Sequence, residues 1–190
     1  MTPVPEAVTA FFALRQRWSG THNLSGPRAL QDPETVDLLD ARAVVAALAP
    51  KLPLYDVGAG SGVPGLLVAC LEPHRRVVLV EPLAKRAAFL RTAVHTLGLG
   101  NVRIERDRWP LWMAEPVQVV ARAVVAPDAW PALALAGGPH VLSVLRCLAA
   151  VRPAWTDAGF GCGQVVDYDV GGTSRRIERW DRLNPSPLPS

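Results

Sequence analysis

Apolar residues recur at helical spacing near the start of the chain, where Val8, Phe11, Phe12, Leu14 and Trp18 predict an amphipathic helix over 5–18. Thr21 to Pro27 reads as a turn-rich connector. Asp32-Pro33-Glu34 reads as an N-cap followed by proline in the first helical turn, opening a helix to about Leu48. The pattern then alternates in the βαβ manner: strand 53–57, helix 64–72, strand 76–81, helix 83–97 and strand 101–105, with Gly98 as a C-terminal stop. Gln118–Ala121 is expected as a fourth strand, Ala129–Leu135 as a short helix and Val141–Leu145 as a fifth strand, parallel because such crossovers are right-handed. After Pro153, Val165–Val170 and Ser174–Trp180 flank Gly171-Gly172-Thr173 and predict an antiparallel hairpin on one sheet edge. The expectation is an α/β fold with a mostly parallel seven-stranded sheet. Residues 1–50 form a helical appendage, 51–183 the sheet domain and the Pro- and Ser-rich 184–190 a disordered tail, one compact domain overall.

Composition narrows this only a little. A 49% hydrophobic content over 190 residues suffices for one core, and a formal charge of +3 permits nucleic-acid binding without requiring it. Cys70, Cys147 and Cys162 lack metal-site or redox spacing, so neither a metal nor a disulfide is implied and a reducing compartment is expected. Met1 to Ala10 has no basic segment ahead of an apolar run. The apolar region Val117–Val151 is broken by Arg122, Asp128 and prolines. A cytoplasmic monomer without a membrane span is the expectation.

Candidate chemistry gathers at Leu54-Tyr55-Asp56-Val57-Gly58-Ala59-Gly60-Ser61-Gly62-Val63-Pro64-Gly65, a buried strand entering a glycine turn and a helix. Glycines at a strand end let backbone N–H groups approach a ligand. Dinucleotide binders carry another glycine three residues after the second, where this chain has Val63, which argues against NAD or FAD. Gly58-x-Gly60-x-Gly62 after Asp56 is instead the spacing of S-adenosylmethionine enzymes, and Pro64 suits a first helical turn. Glu81 ends the next strand, 23 residues after Gly58, where a carboxylate can accept from both hydroxyls of a ribose. An ordinary glycine-rich loop and a solvated glutamate are the competing readings.

Several further elements together resemble the GidB/RsmG family of methyltransferases. They are Trp18 with Asn23-Leu24-Ser25, Leu38-Leu39-Asp40, Val63-Pro64-Gly65, Lys85-Arg86 before Phe89-Leu90, Arg108, and Ala121-Arg122-Ala123. The resemblance spans Trp18 to Ala126. It implies a Rossmann-like class I S-adenosylmethionine-dependent methyltransferase that modifies a guanine N7 of small-subunit ribosomal RNA. The implied cofactor set is Asp56, Gly58, Ala59, Gly60, Gly62, Pro64, Glu81, Pro82, Leu83, Lys85, Asp107, Arg108, Trp109 and Arg122. Arg122 would also be the catalytic residue, holding or polarising the acceptor base, and Asn23 would meet a base edge. The chain departs from the family at Val36-Asp37, where Arg-His is usual, and along Leu142–Arg146, which lacks the usual lysine and glycine in register; the acid expected after the position of Arg108 falls near Pro110.

Each assignment has a structural competitor. Arg122 would otherwise pair with Asp56, Glu81 or Asp128; Lys85 would be an exposed helix lysine; Asn23 would close a loop. Trp109, Trp112, Trp130 and Trp155 stack on a base or fill the core. Arg15, Arg17, Arg28 and Arg42, with Arg175, Arg176, Arg179 and Arg182, supply replacement phosphate contacts or a solvated basic face. Two other functions stay open: a diverged methyltransferase acting on a small molecule or protein, and a non-catalytic cofactor-binding module.

Overall fold

The computed structural model describes residues 5–22, 32–122, 124–150, 155–157 and 159–185. Helix α1 spans Glu6–His22, and a π-helical turn, Glu34–Leu38, leads into α2, Leu39–Ala47. The alternating part follows as β1 Leu54–Val57, α3 Gly65–Leu71, β2 Val77–Val80, α4 Ala84–Thr96, β3 Val102–Glu105 and β4 Val117–Ala121. It continues through α5 Trp130–Leu135 and β5 Val141–Leu148 to the hairpin β6 Phe160–Val170 and β7 Thr173–Arg182.

One seven-stranded sheet runs in the order β3-β2-β1-β4-β5-β7-β6. The first five strands in that order pair in parallel, and β7 pairs antiparallel with both β5 and β6. The order reverses between β1 and β4, and doubly wound sheets bind ligands outside the carboxyl ends of strands at such a switch point. β2 is buried at all four positions of Val77-Val78-Leu79-Val80, as a parallel strand covered on both faces must be. One face packs against α1 to α4 through Phe11, Val44, Leu66, Leu67 and Phe89. The other carries Val57, Val119, Trp130, Val144 and Trp180.

The sequence expectations hold for every strand and for the hairpin, with ends shifted by a few residues. β6 starts earlier than expected, at Phe160, and β5 continues to Leu148 because it pairs with β7 as far as Leu148↔Arg176. α1 runs on to His22, past the expected end at Trp18. Asp32 Oδ1 accepts the Thr35 N–H at 3.1 Å, the capping geometry read from Asp32-Pro33-Glu34. Asn23, the remainder of its connector and the end of the tail after Pro185 lie outside the described residues. The appendage shares the main core rather than standing apart. Gln118, fully buried in β4, anchors it by accepting the Ala49 N–H at 2.9 Å and donating to the Leu52 carbonyl at 2.8 Å.

Candidate active site

At the carboxyl end of β1 the chain turns through Gly58, Gly60 and Gly62, with φ of 70°, 54° and 85°, backbone that side chains disfavour. The Gly58 and Ala59 amides donate to the Val80 carbonyl at 2.8 and 3.1 Å, which fixes the turn against the end of β2. Glu81 follows directly and is buried. Its Oε2 accepts the Gly60 N–H at 2.9 Å and its Oε1 the Leu83 N–H at 2.8 Å. One protein donor per oxygen leaves each a second lone pair, which suits a pair of vicinal hydroxyls. The residues therefore fit a ribose-bearing cofactor on two grounds: a backbone cradle that only glycine allows, and a half-satisfied buried carboxylate beside it.

Asp56 Oδ2 accepts the Gly65 N–H at 2.8 Å, so the carboxylate caps α3, and only 1% of the residue is exposed. Burial drives its pKa up to about 7, against the lowering effects of the Gly65 hydrogen bond and the Arg122 charge. Gly65 is the residue that sequence reasoning undervalued. A Cβ there would run into Leu79 Cδ2 and lie 2.6 Å from Asp56 Oδ2, so this glycine performs the close helix–strand packing that dinucleotide binders assign to their third glycine. Pro64 precedes the helix, which begins at Gly65.

Pro82, Leu83 and Lys85 stand exposed at the entry to α4, beside Glu81, and Asp107 and Arg108 are exposed just after β3, the Arg108 N–H donating to Asp107 Oδ1 at 2.7 Å. Trp109 belongs to the core. Its Nε1 donates to the Leu133 carbonyl at 2.7 Å and its ring packs on Tyr55. Trp130 is likewise buried, donating to the Leu145 carbonyl at 2.8 Å, and Trp155 packs on Phe160 and Trp180. Trp112 is exposed and covers Gly138.

Arg122 follows β4 at the carboxyl edge, but none of the three expected acids is its hydrogen-bond partner. Its Nη1 donates to Asp37 Oδ1 at 2.8 Å and Asp40 Oδ2 at 2.9 Å. Asp40 also accepts from Arg175 Nη1 at 2.7 Å and from the Tyr168 hydroxyl at 2.9 Å, both on the hairpin. The two carboxylates raise the Arg122 pKa against the opposing effect of burial, so this guanidinium stays charged.

Arg122, Val124, Trp130, Arg146, Cys147, Tyr168 and Arg175 help line a pocket of about 360 Å³, near the lower end of the roughly 300–1,000 Å³ usual for ligand sites. Val124 also covers Gly58, where a Cβ would collide with its Cγ2, so the pocket adjoins the glycine cradle. The Cys147 thiol in this pocket is pushed up to about 12 by burial and by Asp40, which leaves no thiolate for nucleophilic work at neutral pH. A larger cavity, about 920 Å³, lies at the opposite, amino-terminal edge. Its Arg75 is held by Glu72 and the Ala49 carbonyl and its Arg76 by Glu115, so that chemistry is self-contained.

The departures and basic patches also resolve. Val36 and Asp37, at 8% and 0% exposure, point into the core, so this stretch offers no direct contact to a substrate. Arg15 is buried against Asp37, Arg176 pairs with Asp167, Arg179 donates to Asp181 and to the Ala47 carbonyl, and Arg182 lies over the Phe160 ring. The hairpin arginines therefore brace the fold instead of forming a free phosphate-binding face. Arg28 lies outside the described residues, and Arg17 is exposed on α1.

A doubly wound sheet with a glycine cradle after β1, an acid after β2 and an antiparallel C-terminal hairpin is the class I S-adenosylmethionine-dependent methyltransferase fold. The 23S rRNA methyltransferase ErmE shares it at a TM-score of 0.54 and 22% identity, over 80% of this chain and 70% of that one. Magnesium protoporphyrin IX methyltransferase from Synechocystis PCC 6803, solved with bound SAM, does so at 0.51 and 15%, over 91% and 97%. The GidB family profile, described as rRNA small subunit methyltransferase G, matches residues 5–130. The ribosomal RNA small subunit methyltransferase G of Stenotrophomonas maltophilia is 36% identical over 176 residues, covering 85% of this chain and 78% of that protein. That of Dichelobacter nodosus is 36% identical over 112 residues, 59% of this chain and 53% of its own length, so the match spans about half of that relative. The chain belongs to the GidB family.

Proposed function

We propose that this protein is an S-adenosylmethionine-dependent methyltransferase that modifies a guanine N7 of small-subunit ribosomal RNA. Family membership and the adjoining cradle and pocket support the reading, and the observation that carries it is the contact of Val124, a pocket residue, with Gly58 of the cradle. The bound cofactor supplies an electrophilic methyl on a sulfonium. Its amino-acid end would lie against the turn backbone of Gly58, Ala59, Gly60 and Gly62, whose own amides are held by the Val80 carbonyl, Glu81 and the Ala59 carbonyl; Glu81 would accept from the ribose hydroxyls, and Pro82, Leu83, Lys85, Asp107 and Arg108 would border the adenosine. Asp56, Pro64 and Trp109 contribute through packing and capping.

A guanine N7 carries a lone pair and no proton, so its attack needs no general base, which suits a pocket whose one acid among the described residues, Asp40, is committed to Arg122 and Arg175. Positioning and electrostatics supply the acceleration. Arg122 fits the positioning role: among the described residues only its Nη1 has protein partners, leaving Nε and Nη2 to donate to an acceptor oxygen such as O6 beside N7. A ribosomal substrate implies a cytoplasmic location, and no described helix is long and apolar enough to cross a membrane. The test is incubation of protein and labelled donor with deproteinised small subunits, whole ribosomes and a metabolite extract, followed by nucleoside mass spectrometry. Label in N7-methylguanosine of small-subunit RNA is expected; label confined to a metabolite or protein fraction overturns the reading.

A further inference from the structure

Asp37 is a buried carboxylate for which methyl transfer to an unprotonated nitrogen has no direct use. It is fully inaccessible, yet both oxygens are engaged: Oδ2 accepts from Arg15 Nη1 at 2.6 Å and Oδ1 from Arg122 Nη1 at 2.8 Å. Arg15 is itself fixed, 1% exposed, with its guanidinium carbon 5.5 Å and 5.4 Å from the ring centroids of Phe11 and Phe12. Arg122 is the member that reaches the pocket, with 30% of its side chain exposed. A continuous relay therefore runs from the rings of α1 through Arg15 and Asp37 to the guanidinium at the carboxyl edge.

We propose that Asp37, held by Arg15, is a positioning residue that aims Arg122 at the methyl acceptor. The proposal rests on the methyltransferase reading above. Nη1 of Arg122 has two hydrogens, and Asp37 and Asp40 take one each. Two carboxylate anchors on one terminal nitrogen restrict rotation of the planar group, whereas Asp40 alone leaves it free to swing about a single contact. Arg15 prevents the converse failure: without it Asp37 would be a buried acid with only one cation, and would pull Arg122 inward. Position 37 thus acts on the acceptor from within the core.

The experiment compares Asp37→Asn, Arg15→Met and the double variant in thermal denaturation, cofactor calorimetry and steady-state methylation of small-subunit RNA. Asp37→Asn strands the buried Arg15 charge and Arg15→Met leaves Asp37 with Arg122 as its one cation, so both are expected to lose stability, Asp37→Asn the more, and kcat is expected to fall about 10- to 100-fold, the range typical of a misplaced catalytic group. The double variant removes both charges together and is expected to regain most of its melting temperature while kcat stays low and cofactor affinity stays at the wild-type value. Recovery of kcat in step with stability would mean a purely structural pair and would overturn the proposal, as would a stable Asp37→Asn protein with wild-type kcat. Failure of the wild-type protein to methylate the RNA is a separate outcome that counts against the proposed function.

Discussion

The two halves of the carboxyl edge are built by different means. Around β1 and β2 the site is local and made mainly of backbone: within Gly58 to Leu83 the chain folds its own amides onto the Val80 carbonyl and the Glu81 carboxylate. Around β4 and β5 it is non-local and made of side-chain charge, with Arg15, Asp37, Asp40, Arg122, Tyr168 and Arg175 arriving from α1, the turn before α2, α2, the end of β4 and the hairpin. A backbone cradle tolerates change in everything except its glycines and its acid. A charge network tolerates change only when its members change together, because each ion depends on the next for its exit from water.

The sharpest way to break this contrast is Asp40→Ala. It leaves Arg122 and Arg175 short of a buried partner and is expected to cost about 3–5 kcal/mol in urea unfolding, while the folded fraction binds S-adenosylmethionine as the wild type does. Lost cofactor binding in that fraction would show that the halves are not separable. Next in size is a pH effect confined to the cradle side. Asp56 titrates near 7 in the folded protein against the ordinary 3.8, so its neutral form is favoured by folding, and the stability it contributes is present below 3.8 and lost as pH rises through 7. Between pH 5 and 7 this amounts to about 2–3 kcal/mol. Asp56→Asn should remove that slope, and superimposable stability–pH curves for the two proteins would refute it.

Glu81→Gln should weaken S-adenosylmethionine binding about 10- to 100-fold by calorimetry, since one of two acceptor oxygens becomes a donor, with a smaller change in melting temperature. Unchanged affinity would remove Glu81 from the cofactor. The smallest effect belongs to Lys85→Ala, on an exposed first turn, where unfolding should shift by less than about 0.5 kcal/mol. A larger shift would reveal a bracing role there.

Legibility in the sequence follows the same division. The order of strands and helices, the glycine turn and the acid after β2 could be read because period, turn residues and short spacing are local signals. The partners of Arg122 are not legible in the same way: Asp37 and Asp40 lie 85 and 82 positions away, and no local pattern couples them. Arg15 and the hairpin arginines resembled a phosphate-binding surface because composition counts charge without showing which cations the fold has already neutralised. The place of Trp109 beside Arg108 carries no information about which face of the sheet its ring meets, so its packing on Tyr55 is not legible locally. The capping role of Asp56 was hidden by its place in a familiar motif, where a strand-end carboxylate invites a ligand reading.

Arg175 reaches Asp40 from 135 residues further along the chain, on β7, the last strand in sequence. A cut in the chain between the two would leave Asp40 joined to that cation only through contacts across the fold, whereas every partner that fixes the cradle lies within Gly58–Leu83.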